Sequence, residues 1–251
     1  MLVGSDFFQG TFCRYNRHQP IDRKIGQASV AFKKQSMIPQ PNLDTSRLIL
    51  RPFTDSDVDR VAELANDELL SRNLRSFTYP YSVEDARSWV TGLPGEWETG
   101  KSAVFAICLR SQESRLLLRE SSAVTDQATS AERKATIEPS PDKLLVGAIG
   151  IVFEQPSNRA EVGFWLGRQY WGQGITTEAC VSVLDFAFAQ LGLNKVYAEC
   201  LTRNPASAAV LQKVGMVQEG VLKKHFRKHE AEDYNDVLLF GLLRSVWNDR
   251  A

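Results

Sequence analysis

Between Ala160 and Leu191 an alternating strand pattern runs straight into a helical one through a loop that holds two glycines. Val162, Phe164 and Leu166 recur at spacing two, whereas Ala179, Val183, Phe186 and Ala187 recur at helical spacing until Gly192 ends the run. A strand that feeds a helix directly, with short strands on either side, restricts the chain to layered α/β architectures. The junction reads Arg168-Gln169-Tyr170-Trp171-Gly172-Gln173-Gly174-Ile175-Thr176-Thr177-Glu178. Gly172 and Gly174 tolerate positive φ and close approach of a ligand to the backbone. Unpaired N–H groups at the start of the following helix, together with its dipole, make an anion site that suits a pyrophosphate, with Arg168 at its rim. There is no GxxxxGK[ST] and no GxGxxG with an acid about 20 residues on, which disfavours ATP and NAD.

The other elements fit one α/β domain on a mixed sheet. Thr45 to Phe53 reads as a first strand stopped at Pro52. Thr54-Asp55-Ser56-Asp57 caps a helix whose apolar stripe is Val58, Val61, Ala62, Leu64 and Ala65. A second helix starts at Ser82, with Asp85 completing a capping box, and breaks at Gly92 and Pro94. Strands follow at 102–109, 144–153 and 160–167, the last two forming an antiparallel hairpin across Pro156-Ser157-Asn158-Arg159. After the helix at 175–191 come a strand at 195–201, a helix from Pro205 to Val214 closed by Gly215, and two strands at about 216–228 and 234–246. Residues 111–143 lack both aromatic residues and glycine and read as a disordered insertion on a hairpin. Residues 1–42 read as a basic, poorly ordered extension, and 43–248 as the folded domain.

Charge and cysteine content narrow the function classes. Thirty basic residues balance thirty acidic ones, so no basic footprint for nucleic acid exists over the whole chain. The first 40 residues are the exception, with Arg14, Arg17, Arg23, Lys24, Lys33 and Lys34 against Asp6 and Asp22. The longest apolar run, Leu144 to Phe153 with its two glycines, is ten residues, and Val237 to Leu243 is seven; both are too short to cross a bilayer. Cys13, Cys108, Cys180 and Cys200 form no CxxC and have no His at metal-ligand spacing; they read as reduced thiols, with no metal site. The expected location is the cytoplasm, with a mitochondrial presequence in the acid-poor leader as the alternative.

Four stretches together resemble the GNAT acetyltransferase superfamily, in particular its ribosomal-protein and small-amine N-acetyltransferase branch. Gln169-x-x-Gly172-x-Gly174 resembles the coenzyme A pyrophosphate loop, and Glu161-Val-Gly-Phe-Trp-Leu166 the strand before it. Asn204-Pro-Ala-Ser207 resembles the opening of the next helix, and Val214-Gly215-Met216 followed by Glu219-Gly220 the exit from it. The likeness runs from about Arg47 to Val246. It implies a single domain of α/β (α+β) class with a mixed, mostly antiparallel sheet flanked by helices. It also implies acetyl-CoA as co-substrate and direct acetyl transfer to a small-molecule or peptide amine, with neither nucleic acid nor membrane as partner and dimerisation through the last strands. A non-catalytic acyl-CoA-binding module is the alternative.

Direct transfer needs a base for the amine, donors for the tetrahedral oxyanion and protonation of the leaving thiolate. His225 is the first candidate for the base, Glu199 its rival and Glu161 the third. His225, five residues after Gly220, falls where relatives carry a carboxylate, and imidazole titrates near neutrality. Glu199 lies five residues before Asn204, where other members carry a glutamate, and Glu161 lies one strand earlier. The resemblance assigns Ser207 to the coenzyme A sulfur and Asn204 to the pantetheine. Leu211 stands where many members have a tyrosine acid. The backbone N–H groups where the Phe164-Trp165-Leu166 strand splays from its neighbour are expected to supply the oxyanion donors, and Trp165 and Trp171 to wall the thioester channel. Arg168, Gln169, Trp171, Gly172, Gln173, Gly174, Ile175 and Thr176 are expected to hold the pyrophosphate. Asp55, Asp57 and Glu63 are expected to shape the acceptor pocket.

Overall fold

The computed structural model describes residues 39–74, 77–110, 143–228 and 234–250. The expectations for the N-terminal leader, for Cys13 and for the interior of the insertion lie outside these residues. In chain order the elements are β1 (Leu43–Asp44), β2 (Leu48–Arg51), a 3-10 turn (Asp55–Asp57), α1 (Val58–Ala65), α2 (Glu68–Asn73), α3 (Val83–Glu98), β3 (Ser102–Arg110), β4 (Lys143–Glu154), β5 (Arg159–Leu166), a 3-10 turn (Arg168–Tyr170), α4 (Ile175–Asp185), β6 (Lys195–Leu201), α5 (Pro205–Lys213), β7 (Val217–Phe226), β8 (Asn235–Leu243) and α6 (Arg244–Asn248). One eight-stranded sheet runs β1-β2-β3-β4-β5-β6-β8-β7. Every neighbouring pair is antiparallel except β5 and β6, so the sheet is mixed and mostly antiparallel, as the resemblance implies.

The two faces carry different helices. Trp165 of β5 lies opposite Ala148, and Ala148 opposite Ala106, so these residues share a face. Trp165 packs against Trp89 of α3 and against Phe77, with centroids 6.5 and 5.7 Å apart, which puts α3 on that face. Phe105 points the other way and meets Phe186, just after α4, edge to face at 5.7 Å. Both layers are dry: Leu48, Leu50, Phe105, Ile107, Ile149 and Trp165 are among the fully buried side chains.

Local chemistry explains the boundaries. Asp57 accepts from the Thr54 backbone N–H at 2.8 Å and from the Thr54 hydroxyl at 3.0 Å, closing the entry to α1. Ser82 and Asp85 exchange the two bonds of a capping box at the start of α3. The helix does not break at Gly92 and Pro94; it continues to Glu98 because Leu93 and Trp97 are buried on its inner face, outweighing one lost backbone bond. The helix α2 has no counterpart in the sequence reading; Asp67 caps it, accepting from the Leu70 N–H at 2.8 Å. Near the end of the 175–191 pattern the five residues Phe186–Gln190 wind as a π turn. β8 ends at Leu243, its last partner on β6, and the chain turns into α6 where a longer strand was expected. β3 and β4 pair antiparallel up to Arg110↔Lys143, the residues that flank 111–142.

Candidate active site

The alternation that makes β5 a strand also gives its two edges different work. On one side it pairs with β4 along its whole length, from Glu154↔Arg159 to Gly147↔Leu166. On the other it pairs with β6 only at Arg159, Ala160 and Glu161, opposite Lys195, Val196 and Tyr197. Beyond Glu161 the two parallel strands part. Gly147 helps to hold β5 on the β4 side, because a Cβ there would lie 2.3 Å from the Trp165 carbonyl oxygen. From Glu161 to Leu166 the diverging edge runs about 17 Å at strand rise.

The register also shows which groups face the gap. The Gly167 N–H donates to the Val146 carbonyl at 2.9 Å, and Leu166 lies opposite Gly147. Strand alternation then turns the N–H groups of Phe164 and Leu166 toward the β6 side. The Leu166 carbonyl on that side accepts from Trp171 Nε1 at 2.7 Å. Phe164, Trp165 and Leu166 are buried, and so is Tyr170 in the turn that follows. Arg60 of α1 fixes this turn, donating to Tyr170 Oη at 2.8 Å and to the Leu145 carbonyl at 3.2 Å.

The loop from Trp171 to Gly174 is a backbone cradle. Gly172 and Gly174 have φ of 78° and 76°, the left-handed region where a Cβ is strained. Gly174 is the N-cap of α4 and offers no side chain, so the first N–H groups of that helix are open to an anion. The Thr176 hydroxyl, in the first turn, is 1% exposed and has no hydrogen-bond partner. An orphaned donor beside uncapped amides fits a phosphate oxygen. Gln173 Nε2 bonds back to the Gln169 carbonyl at 3.1 Å, tightening the loop. Ile175 is buried and Trp171 half-buried against the core. Arg168 is exposed, and its guanidinium stands 3.8 Å from Asp67.

Arg47 is the cradle residue that sequence reasoning missed. Its Nη1 donates to the Gln173 carbonyl at 3.1 Å, and its Nε pairs with Glu178 at 2.7 Å. Glu178 also accepts from the Arg47 N–H at 3.0 Å, Thr45 Oγ1 at 2.6 Å and Ser46 Oγ at 3.1 Å. Burial works to raise the Glu178 pKa, but these donors outweigh it and hold the carboxyl below its ordinary value. No local motif announces a contact made across more than 120 positions of chain.

The side-chain candidates for the base fall in different places. Glu161 is 5% exposed and is the last β5 residue paired with β6, at the point where the strands part. It shares the Trp165 face. Glu199 is half-buried on the same face of β6 as Tyr197. His225 is exposed near the end of β7, the edge strand, where the ladder slips between Leu222 and Phe226. Glu161 and Glu199 thus stand on one face of neighbouring strands, both beside Tyr197, whereas His225 lies apart on the edge strand. Asn204 caps α5 through Oδ1, which accepts from the Ser207 N–H at 3.2 Å; both residues are buried, and Leu211 is a core residue. Asp57, expected to shape the acceptor pocket, is buried in a two-pronged pair with Arg51, both bonds 2.7 Å. Glu63 is taken by Arg60 at 2.6 Å, whereas Asp55 is exposed. Two cations join α2 to the far strands. Lys228 Nζ donates to the Ser71 carbonyl and hydroxyl at 2.7 and 2.6 Å, and Arg203 to the Arg72 carbonyl at 2.6 Å.

Residues 47–217 match the acetyltransferase (GNAT) domain family. An uncharacterised N-acetyltransferase of Bacillus subtilis, YoaA, is 30% identical over 187 residues, covering 74% of this chain and 88% of its own. The ribosomal-protein-serine acetyltransferase of Escherichia coli is 35% identical over 99 residues, 39% of this chain and 54% of its own. Among solved structures, RimL, a ribosomal alpha-N-protein acetyltransferase in complex with coenzyme A, superposes with a TM-score of 0.63 at 19% identity, over 82% of this chain and 99% of its own. The microcin self-immunity acetyltransferase MccE, solved with acetyl-CoA and AMP, superposes with a TM-score of 0.59 at 15% identity, over 79% of this chain and 93% of its own.

Proposed function

The chain belongs to the GNAT acetyltransferase family, and from that premise we propose that it transfers the acetyl group of acetyl-CoA directly to a primary amine, with Glu161 as the base. The observation that carries this reading is the parting of β5 from β6 immediately before an uncapped helix N-terminus with two left-handed glycines. The pyrophosphate rests on the N–H groups from Gly172 to Thr176 and on the Thr176 hydroxyl. The pantetheine follows the gap, and the thioester carbonyl meets the N–H groups of Phe164 and Leu166. Such fixed donors stabilise an oxyanion without reorganisation, and each is worth about 3–4 kcal/mol when removed. Asn204 and Ser207 open the helix on the β6 side and are our candidates for the pantetheine and sulfur contacts.

Burial and position favour Glu161 over the other candidates. It stands at the apex of the gap with little water to compete for the amine's proton, whereas His225 lies on the far edge of the sheet, in solvent. The relatives named for ribosomal-protein acetylation make a protein N-terminus the first acceptor to try, with small amines beside it. The buried cysteines Cys108, Cys180 and Cys200, none in a disulfide and the latter two with pKa pushed up to about 12 by burial, suit a reducing compartment such as the cytoplasm. No helix among the described residues is long and apolar enough to cross a membrane.

The test is release of free thiol from acetyl-CoA with a panel of amines: a peptide with an N-terminal serine, spermidine and lysine. Turnover with any of them supports the reading. Thermal stabilisation by coenzyme A without turnover would leave a binding module, and no stabilisation at all would overturn both.

A further inference from the structure

Glu161 raises a question that the cradle does not: where its proton goes. A base that is 5% exposed must discharge to water after every turnover. Beside it stands the phenol of Tyr197 of β6, its partner in the parallel register. Tyr197 Oη donates to Glu154 Oε1 and lies 3.5 Å from Glu161 Oε2. The second contact is long, as hydrogen bonds of unliganded sites often are. Glu154, at the end of β4, has a third of its side chain in water, and its other oxygen is held by Arg159 Nε at 2.6 Å. The Arg159 guanidinium stacks over the Tyr197 ring, 5.3 Å from its centroid, which fixes the ring between the two carboxylates.

We propose that Glu161, Tyr197 and Glu154 form a proton wire that carries the acceptor's proton from the buried base to the surface. This inference rests on Glu161 being the base. As the amine nitrogen bonds to the acetyl carbon and the carbon–sulfur bond breaks, the amine's proton moves to Glu161. The protonated Glu161 then donates to Tyr197 Oη while the proton already on that oxygen passes to Glu154. Glu154 releases it to water, solvent returns one proton to the coenzyme A thiolate, and rotation of the Tyr197 hydroxyl resets the wire. No charge accumulates on the tyrosine, because each proton it accepts replaces one it gives. That matters here: burial, the negative charge of Glu161, the bond to Glu154 and the charges of Glu154 and Glu199 all push the phenol's pKa up, so a free phenolate is disfavoured at every step. The charged groups around the wire are Glu154 from β4, Arg159 and Glu161 from β5, and Glu199 from β6. Lys195, the next residue down that face of β6, is taken by Glu219 of β7 at 2.6 and 2.8 Å.

Tyr197→Phe keeps the ring under Arg159 and removes only the hydroxyl. On the fastest acceptor of the panel, kcat is expected to fall about tenfold, with KM for acetyl-CoA unchanged and the solvent deuterium isotope effect altered. A second measurement needs no acceptor. The titration of Glu161 is followed by NMR on protein with carboxyl-labelled glutamate, assigned by its loss in Glu161→Gln. Glu154→Gln should move that titration in the wild-type background and move it by less than half as much in Tyr197→Phe. An equal displacement in both backgrounds, or an unchanged kcat in Tyr197→Phe, overturns the wire. The base assignment fails separately: if Glu161→Gln keeps full kcat, that reading is wrong whatever Tyr197 does.

Discussion

The cradle and the base side lie at opposite ends of the same strand, and they are built on different principles. The cradle is backbone: two left-handed glycines, uncapped amides and a short turn, all within residues 167–178. The base side is side chains gathered from three strands, Glu154 from β4, Glu161 from β5 and Tyr197 from β6. A backbone site tolerates side-chain change and fails when a Cβ or a proline is forced on it. A side-chain site fails when a single functional group is altered. Substitutions in the two regions should therefore separate into effects on acetyl-CoA binding and effects on the chemical step.

The largest effect is expected at the base. Glu161→Gln preserves shape and hydrogen-bond capacity but cannot take a proton. The loss of a positioned general base costs about 10²- to 10⁴-fold, and it should appear wholly in kcat, with KM for acetyl-CoA within twofold of wild type. Steady-state kinetics with acetyl-CoA and the acceptor varied independently measures this split. A parallel loss of acetyl-CoA affinity would erase the distinction drawn here. The next effect belongs to the cradle. Gly174 has φ of 76°, and a Cβ there would also lie 3.5 Å from an Arg47 Nη. Holding a residue with a Cβ in the left-handed region costs roughly 1–2 kcal/mol. Gly174→Ala should therefore weaken acetyl-CoA by about 5- to 30-fold while leaving kcat at saturation nearly intact.

The same contrast explains how much was legible in the chain. The cradle could be read because its determinants are local: a strand pattern, Gly172 and Gly174, and a helix pattern follow one another within about thirty positions. Most strands and the cap of α5 were legible for the same reason. The candidates for the base could only be narrowed to three, because which carboxylate or imidazole stands nearest the gap depends on where β6 stops pairing with β5. That is a tertiary fact with no local signature. Arg47, Arg60 and Tyr197 were invisible for the same cause: Arg47 reaches Glu178 across 131 positions, Arg60 reaches Tyr170 across 110, and Tyr197 reaches Glu154 across 43. The reading failed locally at α3, where Gly92 and Pro94 look like a stop and burial of Leu93 and Trp97 carries the helix past them.

Glu178 tests whether the cradle is backbone alone. Its carboxylate ties the β1–β2 turn to the first turn of α4 through Thr45, Ser46 and Arg47, and Arg47 in turn holds the Gln173 carbonyl. Its pKa is lowered in the folded chain, so its contribution is fully present above the unfolded value of about 4.3 and is lost as pH falls through the lower folded value. Glu178→Gln should cost about 1 kcal/mol at neutral pH, given partial exposure of the pair, and should raise KM for acetyl-CoA two- to fivefold. Denaturant unfolding at pH 7 and again below pH 4 checks the sign: the difference between variant and wild type should shrink in acid. A difference independent of pH would mean that the carboxylate's charge is not what holds the loop.

The smallest effect is expected at His225, and it decides whether the base side extends to the sheet's edge. His225 is exposed on β7, beside a stretch where Asp236 accepts from Lys223 Nζ and from the Lys224 N–H, both at 2.8 Å, and where Lys224 has φ of 48°. Those contacts fix the backbone around the imidazole and leave its ring in water. Between β7 and β5 stand β8 and β6, so three interstrand spacings, about 14 Å, separate the two strands where they are paired. A base must come within hydrogen-bond reach of the nitrogen it deprotonates, directly or through one water. His225→Ala should accordingly change kcat by less than twofold at pH 7 and leave the acid limb of the pH–rate profile in place. A loss of tenfold or more would move the chemistry from the apex of the gap to the edge strand.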